Sequence, residues 1–442
     1  MTEPLSRRKL PKPGGARRAH PNYFNLKKIW LASRRANLQF AALQCLSYKA
    51  AAMLKNKINS NTIRRINAAR VFHGIHKQPG ISPRGLSKIT GIDLATISII
   101  LTTLEQDGLV LRQPEAPTGR SGRPNSTLFI NEASGVLAGA AIEVEEIHIV
   151  LSSFSGARLG SLSVPGSLSQ EAAASAIKSG ILALLKQVRI PRKRLAGVGI
   201  GVPGLVGLDG RIALAPALNW HDADLAGVLT AALGVAVHLE NDTKAAALAE
   251  HIFGSCQHTS DFVYVSGRSG VGGGLYLGGA IYRGPHGLAG EVGHMKLVPH
   301  GRPCACGARG CFEAYVSEHA VVKRLAESGV PLQDIPAIRA AALSGNEVVL
   351  HTLEEAGQHL GLGLANLANL LAPSSIILGG SMAALAEFLL PACRPAFEEN
   401  TLAEIRSGMT IALSTLQEFA VPMGGIAIAL QHFLEEPSVI RA

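Results

Sequence analysis

Four metal-ligating side chains crowded into residues 294–311 constrain the local fold more tightly than any other feature of this chain. They are His294, Cys304, Cys306 and Cys311. One imidazole and three thiolates form a closed tetrahedral set, which is typical of structural rather than catalytic zinc, and soft thiolates select zinc over hard cations. Gly307 and Gly310 allow the backbone to curl so that the sulfurs converge. The sequence predicts a structural Zn²⁺ site here, and three free buried thiols are the alternative.

Two helices joined by a short glycine turn are predicted between residues 82 and 106. Ser82 suits a helix N-cap, Pro83 suits the first helical position, and Gly91 makes the turn. Asp93 is the predicted N-cap of the following helix, which reaches about Gln106. An amphipathic helix precedes the pair, with an apolar stripe at Ala68, Val71, Phe72 and Ile75. This arrangement is typical of a helix-turn-helix, and a small helical bundle that packs elsewhere is the alternative.

The last of these helices has a predicted buried side and a predicted exposed side. The buried stripe is Ile97, Ile100, Leu101 and Leu104, and the outer face is Ala95, Thr96, Ser98, Ile99, Thr102 and Thr103. The N-terminal part of such a face meets base edges in the major groove. Thr96 and Ser98 can hydrogen-bond bases or phosphates, and Ile99 can pack on a thymine methyl group. We therefore predict double-stranded DNA as a partner.

A wing is predicted after the helices. Two short apolar strands, at 109–111 and 127–130, flank the loop 118–124, which carries Arg120 and Arg123. An arginine at the tip of such a loop fits the strongly negative potential of a narrow minor groove. A basic, flexible linker is the alternative.

Basic charge is concentrated at the N-terminus. Residues 1–60 hold thirteen Lys and Arg against one acidic residue, in a chain whose net charge is +10. Such an arm indicates a polyanionic partner, whereas a solvated tail is the alternative. We expect no secretory signal, because Arg7, Arg8 and Lys9 precede no apolar core segment, and no membrane span. The protein is therefore expected to be cytoplasmic, with no membrane partner.

From Leu128 onward, short apolar strands alternate with Ala-rich helices, which predicts an α/β architecture. Several motifs there resemble the ROK family (repressors, open reading frames, kinases). They are EVGH at 291–294, CxCGxxGCxE at 304–313, GxGxPG at 199–204, END at 240–242, SGVGGG at 269–274 and SIILGG at 375–380. The resemblance, together with the helix-turn-helix, implies the repressor branch of that family.

The resemblance also implies an overall architecture. An N-terminal winged helix-turn-helix is joined to a two-lobed, actin- and hexokinase-like (ribonuclease H-like) sugar-kinase fold. The expected domains are a basic N-terminal extension at 1–58, the DNA-binding domain at 59–130 and the sugar-kinase-like effector domain at 131–442, with the zinc motif at 291–313.

The nucleotide loop departs from the family pattern. Kinases of the family open their first hairpin with DxGxT, whose Asp, Gly and Thr serve the metal and phosphates of ATP. The matching positions here are Ala141, Glu143 and Glu145. Two added carboxylates would repel a triphosphate, at about 4 kcal/mol for a unit charge pair ~4 Å apart at an effective dielectric of about 20. We therefore expect no enzyme activity and no catalytic residue.

The sugar site is better preserved. The resemblance assigns hydroxyl-binding roles to Asn241, Asp242, Glu291, His294 and Glu313. Asp242 occupies the vestigial position of the kinase general base, although a simple helix-capping role is its alternative. His294 would bind zinc through one ring nitrogen and face the sugar with the other. Ala217 stands where many relatives have a sugar-binding Asn, so the identity of the sugar stays open.

These features together predict a DNA-binding repressor of carbohydrate metabolism genes that responds to a small sugar or sugar derivative. A homodimer or homotetramer is expected to bind a double-stranded operator. Two alternatives remain open: an active ATP-dependent sugar kinase with a DNA-binding appendage, and a non-enzymatic module controlled by a protein partner.

Overall fold

The computed structural model describes residues 60–114, 126–268 and 270–435. The predicted basic arm and the wing arginines Arg120 and Arg123 lie outside these ranges, so their roles stay predictions.

The first described unit contains three helices and a two-stranded hairpin. Its elements are α1 (Ser60–Lys77), α2 (Pro83–Thr90), α3 (Leu94–Gln106), β1 (Val110–Pro114) and β2 (Ser126–Ile130). Both predicted N-caps are confirmed: Ser82 Oγ accepts from the Gly85 amide at 3.1 Å, and Asp93 Oδ1 accepts from the Thr96 amide at 2.9 Å. Gly91 ends α2 with φ 68°. The predicted stripe of α3 is buried, and β1 pairs antiparallel with β2.

The first lobe is built on a five-stranded sheet ordered β10-β6-β3-β4-β5. The elements of this lobe are β3 (Val136–Ile142), β4 (Glu146–Ser152), β5 (Arg158–Pro165), α4 (Gln170–Gln187), β6 (Leu195–Val202), β7 (Leu205–Val206), β8 (Ile212–Ala215), β9 (Trp220–Ala223), α5 (Leu225–Leu233) and β10 (Val237–Asn241). Strands β7, β8 and β9 form a separate small sheet. Strand β3 is buried along its whole length, as its unbroken apolar run requires, whereas β5 alternates in exposure at the edge of the sheet.

The second lobe contains another five-stranded sheet, ordered β13-β12-β11-β14-β15. Helix α6 (Asp242–Ile252) precedes this sheet in the chain. The other elements of the second lobe are β11 (Phe262–Gly267), β12 (Val271–Leu277), β13 (Ala280–Ile281), α7 (Glu313–Val316), α8 (Glu318–Glu327), α9 (Ile335–Leu343), α10 (Glu347–Leu371), β14 (Ser375–Gly379), α11 (Gly380–Ala384), α12 (Ala386–Asn400), α13 (Ala403–Arg406) and β15 (Thr410–Leu413). The last helix, α14 (Ala420–Glu435), returns to pack on β3 and β6 of the first lobe.

Three phenylalanines join the DNA-binding unit to the first lobe. Phe72 of α1 meets Phe154 and Phe433 edge to face, at centroid distances of 6.4 Å and 6.2 Å, and the latter two stack at 4.6 Å. Burying a side chain of this size contributes on the order of 2 kcal/mol. The core of the helix-turn-helix is therefore continuous with that of the lobe through α14.

Among the described residues, no single helix has both the length and the apolar character needed to cross a bilayer. Within the described ranges, helices α2 and α3 taken together satisfy that test of length and composition, and they are bent by 116° relative to each other.

Candidate functional sites

The predicted metal ligands converge in the second lobe. The ligand atoms of His294, Cys304, Cys306 and Cys311 all lie within 4.8 Å of one another. His294 Nδ1 lies 3.7 Å from Cys304 Sγ, and the sulfurs of Cys306 and Cys311 are 3.8 Å apart. A tetrahedron with metal–sulfur bonds of about 2.3 Å has edges of about 3.8 Å, so this donor set fits a metal ion.

The backbone and one neighbouring cation support this cluster. Gly307 and Gly310 have φ values of 83° and 75°, which confirms the predicted need for glycine at both turns. Lys296 Nζ lies 2.8 Å from Cys311 Sγ and can offset the negative charge of three thiolates. Lys296 was not among the residues predicted for this site, although its place two residues after His294 was a usable signal.

Asn241 and Asp242 lie where β10 passes into α6. Asn241 is the N-cap, because its Oδ1 accepts from the amides of Thr243 and Lys244, both at 3.1 Å. The N-cap is therefore Asn241 rather than Asp242, although Asp242 Oδ1 also accepts from the Thr243 amide. The Asn241 Nδ2 group donates to the Gly204 carbonyl at 3.1 Å, so this amide ties α6 to the turn after β6.

Asp242 has an electrostatic environment that suits a functional carboxylate. Burial and, to a smaller extent, the nearby Glu291 carboxylate raise the pKa of its carboxyl group to about 6. Hydrogen bonds from Thr243 act in the opposite direction; its amide lies 2.7 Å from Asp242 Oδ1. Two carboxylates that influence each other in this way can accept hydrogen bonds from adjacent hydroxyl groups.

Glu313 lies between the metal cluster and the second Gly-rich loop. Its Oε1 atom accepts from Cys304 Sγ at 2.8 Å and lies 3.5 Å from His294 Nδ1. Its other oxygen approaches the second Gly-rich loop, where a methyl group added at Gly270 would be 3.0 Å away. The five predicted sugar-site residues thus form two neighbouring groups: Asn241, Asp242 and Glu291, and then His294 and Glu313.

The altered nucleotide loop contains an ion pair that was not predicted. Ala141 is buried at the end of β3, and Glu143 in the following turn pairs with Arg268, directly after β11. The Arg268 guanidinium therefore offsets the charge of Glu143, one of the two carboxylates expected to repel a triphosphate, whereas Glu145 is exposed. The available signal was a basic residue immediately before the second Gly-rich loop.

The predicted reading face of α3 is exposed. Ala95, Ser98 and Ile99 are all exposed, and Ile99 is 56% accessible. Thr96 differs, because its hydroxyl donates to Asp93 Oδ2 at 2.7 Å and completes the helix cap. Leu94 is also 47% exposed at the start of this helix, a residue that the periodicity argument did not select.

Family profiles match both the DNA-binding unit and the two lobes that follow it. The ROK family profile matches residues 142–432, and a MarR family profile matches residues 64–121. The xylose repressor of Bacillus subtilis strain 168 is 30% identical over 377 residues, which cover 84% of this chain and 97% of that protein.

Two solved structures extend the comparison. A ROK family transcriptional regulator, described as a homolog of the E. coli MLC protein, matches with a TM-score of 0.76 and 26% identity, over 86% of this chain and all of that one. A ROK family glucokinase from Streptomyces griseus, in complex with glucose and AMPPNP, matches with a TM-score of 0.60 and 28% identity, over 67% of this chain and all of the enzyme. The chain therefore belongs to the ROK family and joins a MarR-like winged helix-turn-helix to the family's sugar-kinase-like fold.

Proposed function

We propose that this protein is a transcriptional repressor of carbohydrate metabolism genes that binds operator DNA through α3 and responds to a sugar in the cleft. The observation that carries the proposal is the union of an exposed α3 face with a polyol-type site in one chain, the two linked by a continuous core. The xylose and glucose named for the relative and the solved enzyme support a monosaccharide as the effector class.

Within this function, residues 59–130 are the DNA-binding domain, 131–442 the effector domain, and 1–58 a basic extension. Arg120 and Arg123 of the wing enter the minor groove beside the major-groove contacts of α3. The protein acts in the cytoplasm. It acts there as a homodimer or homotetramer, because paired helix-turn-helix units match paired operator half-sites.

We infer that the cleft binds sugar without phosphoryl transfer. Arg268 directly precedes the second Gly-rich loop, and its guanidinium group is paired with the Glu143 carboxylate. A triphosphate would have to displace that carboxylate and would find Ala141 where a metal-positioning Asp is needed. Both features oppose productive nucleotide binding.

The metal is best assigned as structural Zn²⁺, held by His294, Cys304, Cys306 and Cys311. When bound, it crosslinks the segment 294–311 and fixes the His294 ring. Glu313 and His294 can then present an acceptor and a ring nitrogen to sugar hydroxyls. Asn241, Asp242 and Glu291 supply the remaining polar contacts.

Induction follows from differential binding. A sugar that favours the state unable to bind the operator by roughly 3 kcal/mol shifts the population more than a hundredfold. Because the helix-turn-helix shares a core with the first lobe, any movement of that lobe on sugar binding changes the spacing of paired α3 helices.

One observation favours the kinase alternative. Asp242 keeps a raised pKa of about 6, which suits a general base. A coupled ADP-release assay with D-xylose, D-glucose and N-acetylglucosamine decides between the two functions. The proposed repressor gives no turnover above background, while a gel-shift titration with the same sugars releases the operator. Sustained ADP release would establish the kinase instead, and sugar-insensitive operator binding would favour a protein partner.

A further inference from the structure

Lys244 is a buried cation next to the proposed sugar-site residues Asn241 and Asp242. Its side chain lies in the first turn of α6, two residues after Asp242, and the residue is only 1% exposed. A lysine this deeply buried requires hydrogen-bonding and charged partners. Lys244 Nζ donates to the carbonyl oxygen of Gly287 at 2.6 Å. The partner therefore belongs to the loop at 282–291, which leads from β13 to Glu291.

The 282–291 loop is anchored at both ends as well as in the middle. Arg283 Nε donates to Glu240 Oε2 at 2.6 Å, which fastens the start of the loop to the end of β10. The carbonyl of Gly290 accepts from the Gly273 amide at 3.0 Å, which fastens its end to β12. Between these anchors, the Lys244 ammonium group holds the middle of the loop through the Gly287 carbonyl.

The middle of the same loop also contacts the opposite lobe. Gly287 has φ 82°, and a methyl group added there would lie 2.7 Å from the carbonyl oxygen of Val206 in β7. Only glycine combines this backbone conformation with so close an approach. The carbonyl that Lys244 fixes is thus at the place where the second lobe meets the first.

The charges around Lys244 explain how a lysine is tolerated there. Burial lowers the pKa of Lys244, while the carboxylates of Glu240, Glu291 and Asp242 raise it and the Arg283 guanidinium lowers it. Three acidic groups and one basic group therefore face the ammonium. Removing the ammonium group would leave the negative charges of Asp242 and Glu291 with less positive charge nearby to offset them.

We propose that Lys244 is a positioning residue of the sugar site: by holding the Gly287 carbonyl, it keeps the 282–291 loop, and Glu291 with it, in the sugar-binding arrangement against β7. This inference rests on the proposed sugar response. It makes the loop preordered before sugar arrives, so that the effector selects an existing geometry.

Hydrogen exchange in the full-length protein tests the inference without any sugar. Lys244→Met keeps the bulk of the side chain but removes the donor and the charge. We expect the amides of Gly287 and Ala289 to exchange at least tenfold faster in this variant, while α1–α3 are unchanged. Glu250→Gln is the control, because Glu250 is a buried carboxylate near the other end of α6, bound to Ser414 and Ser255. It should leave loop exchange as in the wild type.

Calorimetry with D-xylose, D-glucose and N-acetylglucosamine provides the second readout. For any of these sugars that the wild type binds, Lys244→Met should raise the Kd at least tenfold, with the sugar-free operator Kd within twofold of wild type. A folded variant with unchanged loop exchange overturns the inference. If the wild type binds none of the three sugars, the proposed sugar response fails, while the exchange experiment still decides the role of Lys244.

Lys244→Gln is the second variant in case the Met variant does not fold. Its polar amide is tolerated more readily in a buried site, but it is one bond too short to replace the ammonium contact. Loop exchange should rise as in the Met variant. Failure of both variants to fold would overturn a local positioning role, because it would make Lys244 a determinant of global stability.

Discussion

Glu143 and Arg268 form an ion pair that joins the turn after β3 in one lobe to the turn after β11 in the other. In a nucleotide-binding relative these two turns would face the phosphates. Here a carboxylate of the protein occupies the position beside the guanidinium. The ion pair therefore links the two lobes at the turns where the proposed function requires a nucleotide to be excluded.

Glu143→Gln should expose Arg268 to external anions. The side chains of Arg268 and Glu143 are 32% and 38% exposed, so the lost pair should cost only about 0–1 kcal/mol of folding stability. A thermal-shift titration with pyrophosphate should stabilise the variant by a few degrees and leave the wild type unaffected. Glu145→Gln, which neutralises the exposed neighbour, is the control. Equal stabilisation of the wild type would show that Glu143 does not occupy the anion position.

Cys306→Ser should remove the metal and weaken the sugar response. A structural site that loses one of four ligands loses most of its affinity, and the 294–311 segment then lacks its crosslink. Metal analysis should fall from about one zinc per chain to near zero. The sugar should no longer release the variant from the operator, whereas operator binding without sugar should be retained. Cys256→Ala removes a buried thiol outside the cluster and should keep the metal. Full metal content in Cys306→Ser would reject the four-ligand assignment.

Sugar affinity should depend on pH through Asp242. The folded pKa of about 6 lies above the ordinary value of 3.8, so the carboxyl gains protons as pH falls through 6 and loses its full acceptor capacity. The same shift means that protonation favours the folded state, so this group adds stability as pH falls from 6 toward 3.8 and removes it as pH rises. Calorimetry between pH 5 and pH 8 should show weaker sugar binding below pH 6. Asp242→Asn should flatten the profile, and a profile that keeps its inflection in this variant would assign it to another group.

Ile99→Ser should weaken specific operator binding. An exposed isoleucine on the reading face loses its contact with a thymine methyl, which is worth about 1 kcal/mol, or roughly fivefold in Kd. The slope of log Kd against log salt should not change, because no phosphate contact is removed. Leu370→Ser is the control, since Leu370 is 76% exposed on α10, outside the DNA-binding unit. If the substitution changes only the slope of log Kd against log salt, Ile99 does not belong to the base-reading face.

Local chemistry accounts for what the sequence could predict. The caps at Ser82 and Asp93 depend on residues three positions away, and the cysteines of the metal cluster are close along the chain. By contrast, the partners Glu143 and Arg268 are brought together only by tertiary structure. Lys244 escaped attention for another reason: lysine is among the residues least often buried, so composition alone places it at the surface.

The packing of Phe72 on Phe154 and Phe433 limits how this protein can be recombined. Cutting the gene between the hairpin and β3 would separate α1 from the aromatic surface that completes its core. A chimera that transfers the DNA-reading module to a foreign sensor therefore has to carry a matching C-terminal helix. Natural exchange of specificities in this architecture should accordingly proceed by substitutions on α3, rather than by swapping whole modules.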